Sequence, residues 1–251
     1  MDNKLNQNRY AWNKVAQHFY GDGVLPCWGV LGEGAKESEL IGTIEGKTFL
    51  EIACGSGHSI KFLLEQGAKK VYGLDISDEQ IKFAKETNKK AVEEGRAELF
   101  HTPMEQEITI PKESIDTVFS IYGLGWTQDH EETLSHIYSY LKPSGRLVFS
   151  FETQLFARTD FDETTGTFSF NGSGTEDYVK TLENWFGAKA YVIYRLPETW
   201  INSCIKLGFK LVKYLEPKTI TSETKNPNLS SYYDLKKVEK IAPTFILVFE
   251  K

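Results

Sequence analysis

The chain has 251 residues, 40% hydrophobic and 25% charged, which suits one sizeable α/β domain with a small elaboration and leaves too little for two full domains. Net charge is -6 and the pI about 5.5, so the chain repels a phosphate backbone and no nucleic-acid partner is expected. Cys27, Cys54 and Cys204 are odd in number and widely spaced, which argues against a disulfide framework and fits a reducing cytoplasm.

Residues 1–9 are polar with no apolar h-region, and no run approaches the ~18 apolar residues of a membrane span, so neither a secretory signal nor a membrane partner is expected. The basic residues Lys225, Lys236, Lys237 and Lys240 sit among acids and polar residues and read as a solvated face.

In chain order, a helix is predicted over 9–20, followed by a Gly-rich aromatic stretch. The apolar run 48–53 reads as a buried strand, and a helix follows over 58–66 with Gly67 closing it. A strand over 70–75 comes next. Ser77 offers an N-cap and Gln80, three residues on, completes a capping box for a helix that carries Ile81, Ala84 and Ala91 and stops at Gly95. Strands are predicted over 97–101 and 114–121. A helix over 129–141 precedes the turn Lys142-Pro143-Ser144-Gly145 and a strand over 146–152. A helix over 197–207 and strands over 209–215 and 243–250 complete the pattern, with a long connection over 226–240.

This alternation predicts a doubly wound, mostly parallel sheet of seven strands with helices on both faces. Four segments follow from it: an N-terminal cap (1–46), a ligand-binding core (47–152), an insertion (153–196) and a closing helix and strands (197–251). The cap and the aromatic insertion are expected over the carboxyl edge of the sheet, where open α/β folds bind ligands.

The most informative run is Leu50-Glu51-Ile52-Ala53-Cys54-Gly55-Ser56-Gly57. A strand turns sharply into a helix there, Gly55 and Gly57 let a ligand approach the main chain, and the helix start offers free N–H groups to an anion. Asp75, 18 residues after Gly57, ends the next strand, where a carboxylate can accept two ribose hydroxyls. A nicotinamide fingerprint would need a third glycine where Ile60 stands. Glu51 suits an amino-acid ligand better than a pyrophosphate.

Residues 49–59, 71–77 and 115–122, with the 141–145 turn and the 146–151 strand, resemble the ordered motifs of class I S-adenosylmethionine (AdoMet)-dependent methyltransferases, nearest the small-molecule and quinone-type group. The likeness covers 47–152; Ala53 stands where that family usually has its first loop glycine.

The resemblance implies AdoMet as cofactor, with contacts from Glu51, Ala53, Cys54, Gly55, Ser56, Gly57, Asp75, Ile76, Gln80, Pro103, Met104, Glu105, Ile121 and Tyr122, and from Tyr20 and Trp28 in the cap. Met104 would pack on the adenine, and reads equally as core. Tyr122 and His130 are the candidate catalytic residues, although His130 also reads as a surface residue in a polar turn; His18, His101 and Glu152 are further candidates. Trp12 and Trp126 join the aromatic candidates for facing a sulfonium.

Methyl transfer is an in-line displacement in which the enzyme aligns the acceptor and excludes water, so a base is needed only for an acceptor that must lose a proton early. No Asn/Asp-Pro-Pro-aromatic run follows the fourth strand, Cys27 precedes the glycine loop and reads as structural, and no metal-ligand spacing occurs. A small-molecule acceptor is therefore expected. An RNA or protein methyltransferase and a non-catalytic AdoMet-binding protein are the alternatives; oligomeric state is not encoded in any motif.

Overall fold

The polar first helix, α1 (Asn3–Val15), and the short α2 (Ser38–Ile41) precede an alternating core: β1 (Thr48–Ile52), α3 (His58–Glu65), β2 (Lys70–Asp75), α4 (Asp78–Thr87), α5 (Lys89–Glu93), β3 (Ala97–His101), β4 (Ile115–Ile121), a 3-10 turn (Leu124–Trp126), α6 (His130–Tyr140) and β5 (Leu141–Glu152). Then come α7 (Gln154–Arg158), two hairpins, β6 (Thr159–Asp162) with β7 (Thr167–Phe170) and β8 (Tyr178–Trp185) with β9 (Ala188–Tyr194), and finally α8 (Pro197–Leu207), β10 (Lys210–Leu215), α9 (Leu235–Val238) and β11 (Thr244–Glu250). This computed structural model describes residues 3–29, 38–162, 164–217 and 233–251.

The main sheet has seven strands in the order β10-β11-β5-β4-β1-β2-β3. β1 to β5 run parallel, and β11 is antiparallel to both its neighbours, β5 and β10. The apolar runs are nearly continuous because both faces are covered. Neighbouring residues go to opposite layers: Phe49 packs with Val71, Phe119 and Val148, and Leu50 with Val118, Leu147 and Phe149. Trp200 of α8 and Tyr140 of α6 fill the second layer.

Three predicted elements shift, and one predicted surface residue is buried. The first helix lies at Asn3–Val15, not 9–20, because its polar residues find tertiary partners while Phe19 and Tyr20 leave the helix to pack on other rings. The single helix after Ser77 is broken at Asn88, whose Nδ2 donates to the Ala84 carbonyl and to Gly57 O. The turn at 142–145 is a bulge inside β5, between the pairs Ile115↔Leu141 and Thr117↔Arg146. Lys237 belongs to no solvated face: it is 4% exposed in α9, while Lys225 lies outside the described residues.

The insertion reaches the N-terminus through α1. Asn8, 2% exposed, imitates a neighbouring strand: Nδ2 donates to Tyr191 O at 2.9 Å and Oδ1 accepts from Tyr191 N at 2.7 Å. Opposite, Arg9 makes a two-pronged ion pair with Asp78, and Asn13 bonds both Asp78 and Ser77. One helix thus links the β8–β9 hairpin to the start of α4. Asn8→Ala strands two backbone groups of β9, so urea denaturation is expected to show a loss of about 2–3 kcal/mol and limited proteolysis faster cleavage at the 185–187 tip; an unchanged midpoint and cleavage rate would refute this account of the cap.

Candidate functional site

The site begins where β1 runs out. Ala53, Gly55 and Gly57 all have positive φ, at 58°, 50° and 74°. Alanine in place of a loop glycine therefore sits in the left-handed region at a small steric cost. Cys54 N donates to Leu74 O, joining the turn to the end of β2. Gly57 is required on two counts. Its φ disfavours a side chain, and a Cβ there would lie 2.7 Å from Asn88 Nδ2 and 2.9 Å from Ala84 Cβ. The turn thus lets α3 start hard against α4. No side chain caps the first turn of α3, so its N–H groups face the turn.

Buried acceptors surround the turn. Asp75 Oδ2 accepts from Gly55 N at 2.9 Å and Oδ1 from Ser77 N at 2.8 Å. Burial pushes its carboxyl up to about 6 against these bonds. Glu51 is 3% exposed; burial raises it well above the carboxylate range, Ser59 hydrogen-bonds it, and its Oε2 has no partner among the described residues. Gln80 Oε1 is also buried without a partner. A Cβ on Gly55 would stand 3.9 Å from that oxygen. Two orphaned acceptors beside one glycine turn point to a ligand with hydrogen-bond donors.

The ends of β2 and β3 close one side. Thr102 N donates to Asp75 O, and His101 Nε2 lies 3.0 Å from Ile76 O. Pro103 is buried, and Met104 half-buried against the core. Glu105 is half-buried. Its Oε1 accepts from Thr127 Oγ1 and Gln128 N, holding the loop after β4.

The end of β4 closes the other side. Gly123 crosses the end of β1 so closely that a Cβ would fall 2.6 Å from Ala53 Cβ. Ile121 is buried beneath Gly23 of the cap. Tyr122 takes a left-handed φ of 55°, its hydroxyl lies 2.5 Å from Thr244 Oγ1, and its ring lies on Phe151.

The cap is pinned to the same turn. Gly21 N donates to Ser56 Oγ, which also lies 3.0 Å from His58 Nδ1, and Leu25 N donates to Ser59 Oγ. Tyr20 packs edge-on against His58 and Phe83, and Trp12 against Trp126 and Trp185. Trp28 is 1% exposed and packs on Phe119 inside the core, rather than at a rim.

Two histidines are placed elsewhere. His130 is wedged between α6 and α8, with Nε2 3.0 Å from Ser203 Oγ and its ring edge-on to Trp200; burial and Arg195 lower its basicity. His18 lies against Phe19 and Phe186. Thr244 and Asn88 carry no signal in the sequence. Each contacts the site from a distant part of the chain, with no local motif to mark it.

Residues 50–149 match the family model described as methyltransferase domain. That stretch carries a methyltransferase domain. An uncharacterized protein of Haemophilus influenzae is 26% identical over 71% of this chain and 73% of its own length. Demethylmenaquinone methyltransferase of Lactococcus lactis is 34% identical over 45% of each chain. The tRNA U34 carboxymethyltransferase of Idiomarina loihiensis is 24% identical over 86% of this chain and 61% of its own. The chain thus spans less than two thirds of the second and third of these relatives. It shares its fold with an AdoMet-dependent methyltransferase from Mesorhizobium loti, at a TM-score of 0.70 and 19% identity, over 87% of this chain and 99% of that one. Among the described residues no group of three or more His, Cys, Asp or Glu side chains could hold a metal ion, and no helix is long and apolar enough to cross a membrane.

Two outcomes are expected of the isolated protein. Gly57→Ala should destabilise it by more than about 2 kcal/mol, because strain and overpacking add, read as a lower urea midpoint; a wild-type midpoint would contradict the close approach to Asn88. Asp75, raised from 3.8 to about 6, contributes stability below its unfolded value and loses it as pH rises through about 6. The ligand-free protein should thus lose up to about 3 kcal/mol between pH 4 and 7.5 on this account, and Asp75→Asn should flatten that slope. Parallel slopes for the two proteins would rule the assignment out.

Proposed function

We propose that the site transfers a methyl group from AdoMet to a small-molecule acceptor. The observation that carries the donor half is the pair of orphaned buried oxygens, Glu51 Oε2 and Gln80 Oε1, beside the glycine turn. An ammonium group is what such acceptors lack. The free N–H groups at the start of α3 suit a carboxylate, and Asp75, with one backbone bond to each oxygen, keeps lone pairs for a ribose. Ile76, Pro103 and Met104 supply walls for a flat base. Residues Ala53 to Gly57 supply main chain at close range. When bound, AdoMet supplies the methyl group and a leaving thioether.

This chain's own contribution is alignment and exclusion of water. The aromatic cap over the turn and Tyr122 at the end of β4 do both. Among these, Tyr122 is the candidate to touch the acceptor. Its strained backbone fits a functional position. His130, bonded to Ser203, is a weaker candidate than Tyr122.

The acidic chain and the mostly half-buried or buried aromatics favour a small acceptor. A second reading has a specific observation behind it: the relatives at 24–28% identity described as tRNA U34 carboxymethyltransferases. The two readings part on where label goes. With methyl-labelled AdoMet and cell extract, label is expected in small molecules; label confined to RNA would reverse the assignment. Glu51→Gln and Asp75→Ala should each weaken AdoMet and S-adenosylhomocysteine binding about tenfold or more. Saturating S-adenosylhomocysteine, at a hundred times its Kd, should raise Tm by roughly 5–11 °C. Stabilisation by NADH alone would defeat the reading.

A further inference from the structure

Two buried carboxyl groups flank the glycine turn, and neither takes part in an ion pair among the described residues. Glu51 on β1 is 3% exposed, and Asp75 at the end of β2 is 8% exposed. Their strands are parallel neighbours, with Glu51 opposite Gly73. The turn adds Cys54, whose thiol is pushed up by burial and then by both acids.

The surrounding elements bring little positive charge to the pair. His101, opposite Asp75 on β3, acts on Asp75 alone of the two. From α3, Glu51 receives the Ser59 hydroxyl, while Lys61 acts on His58. On α4, Asp78 holds Arg9 of the cap, and Lys82 lies 3.7 Å from Glu79.

The two acids differ in what receives their charge. Asp75 accepts an N–H bond at each oxygen, from Gly55 at 2.9 Å and from Ser77 at 2.8 Å. Glu51 accepts from Ser59, and its Oε2 has no partner among the described residues. A buried carboxylate with few donors and no counter-ion is costly, and two adjacent ones are costlier still. The charge therefore settles on Asp75 and the proton on Glu51. Burial and then the neighbouring Asp75 raise Glu51 in the same sense. An ammonium group reverses this balance, because it brings three N–H donors and the missing positive charge.

We propose that the ligand-free protein keeps a proton on Glu51 and that the ammonium group of AdoMet displaces it, so that donor binding releases a proton and strengthens as pH rises. A neutral carboxyl becomes half of an ion pair, and its proton passes to the solvent. This inference rests on the AdoMet reading of the glycine turn.

The test is calorimetry of the full chain with S-adenosylhomocysteine at about pH 6.5, where the ligand's amine is protonated. Phosphate and bis-Tris buffers differ in heat of ionisation, so the difference in binding heat counts protons. Release of about half to one proton per ligand is expected. 5′-Methylthioadenosine has the same ribose and base but no ammonium group. It should release no more than about a quarter of a proton, the share Asp75 still carries half a unit above its value of about 6. Between pH 6 and 7 the affinity for S-adenosylhomocysteine should rise about three- to tenfold, and that for 5′-methylthioadenosine about twofold or less. Glu51→Gln should reduce proton release by S-adenosylhomocysteine to that of 5′-methylthioadenosine. If Glu51→Gln does not fold, the two ligands on the unmodified chain still decide. Heats that do not depend on the buffer, equal release by the two ligands, or release that survives Glu51→Gln overturns the proposal alone. If neither ligand binds, the donor reading falls, and this inference with it.

Discussion

The two backbone bonds to the Asp75 carboxylate hold the active edge together. One reaches Gly55 in the turn after β1 and the other Ser77 at the start of α4. From Ser77 the linkage continues. Its hydroxyl caps Gln80 N and bonds Asn13 of α1, while the adjacent Asp78 grips Arg9. Three residues within one run of four, Asp75, Ser77 and Asp78, therefore fix the glycine turn, the following helix and the N-terminal cap relative to one another. A carboxylate buried this deeply is held against its own preference for water, which only a dense set of N–H donors makes tolerable.

The glycine turn and the acids proposed to hold the donor were legible in the sequence because their signals are local. Glycines at 55 and 57, an acid four residues before the first and an acid at the next strand end occupy one stretch of 25 residues. The central strands were legible for a similar reason: β1, β2, β4 and β11 are buried along nearly their whole length and read as short apolar runs. The misreadings have one cause. The position of α1, the break at Asn88 and the burial of Lys237 are each set by partners more than twenty residues away. Periodicity sees only neighbours.

The flank proposed to face the acceptor is assembled from remote pieces. Tyr122 follows β4, Glu152 ends β5 and Thr244 begins β11. Tyr122 alone lies in a recognisable run, and only the sheet order brings the three to one side. On the proposed reading the donor is held by one turn and the acceptor by residues that topology gathers, a division that lets one fold keep its donor while acceptors diverge.

The reversed strand has a consequence for how the sheet comes into being. β11 enters between β5 and β10, so neither can complete its hydrogen bonds until residues 244–250 arrive. The parallel set from β3 to β5 can pair beforehand from residues already made, but it carries an open, apolar edge at β5 in the meantime. The fold therefore closes from its last strand inward, and the longest wait falls on the flank where Tyr122 and Thr244 finally meet.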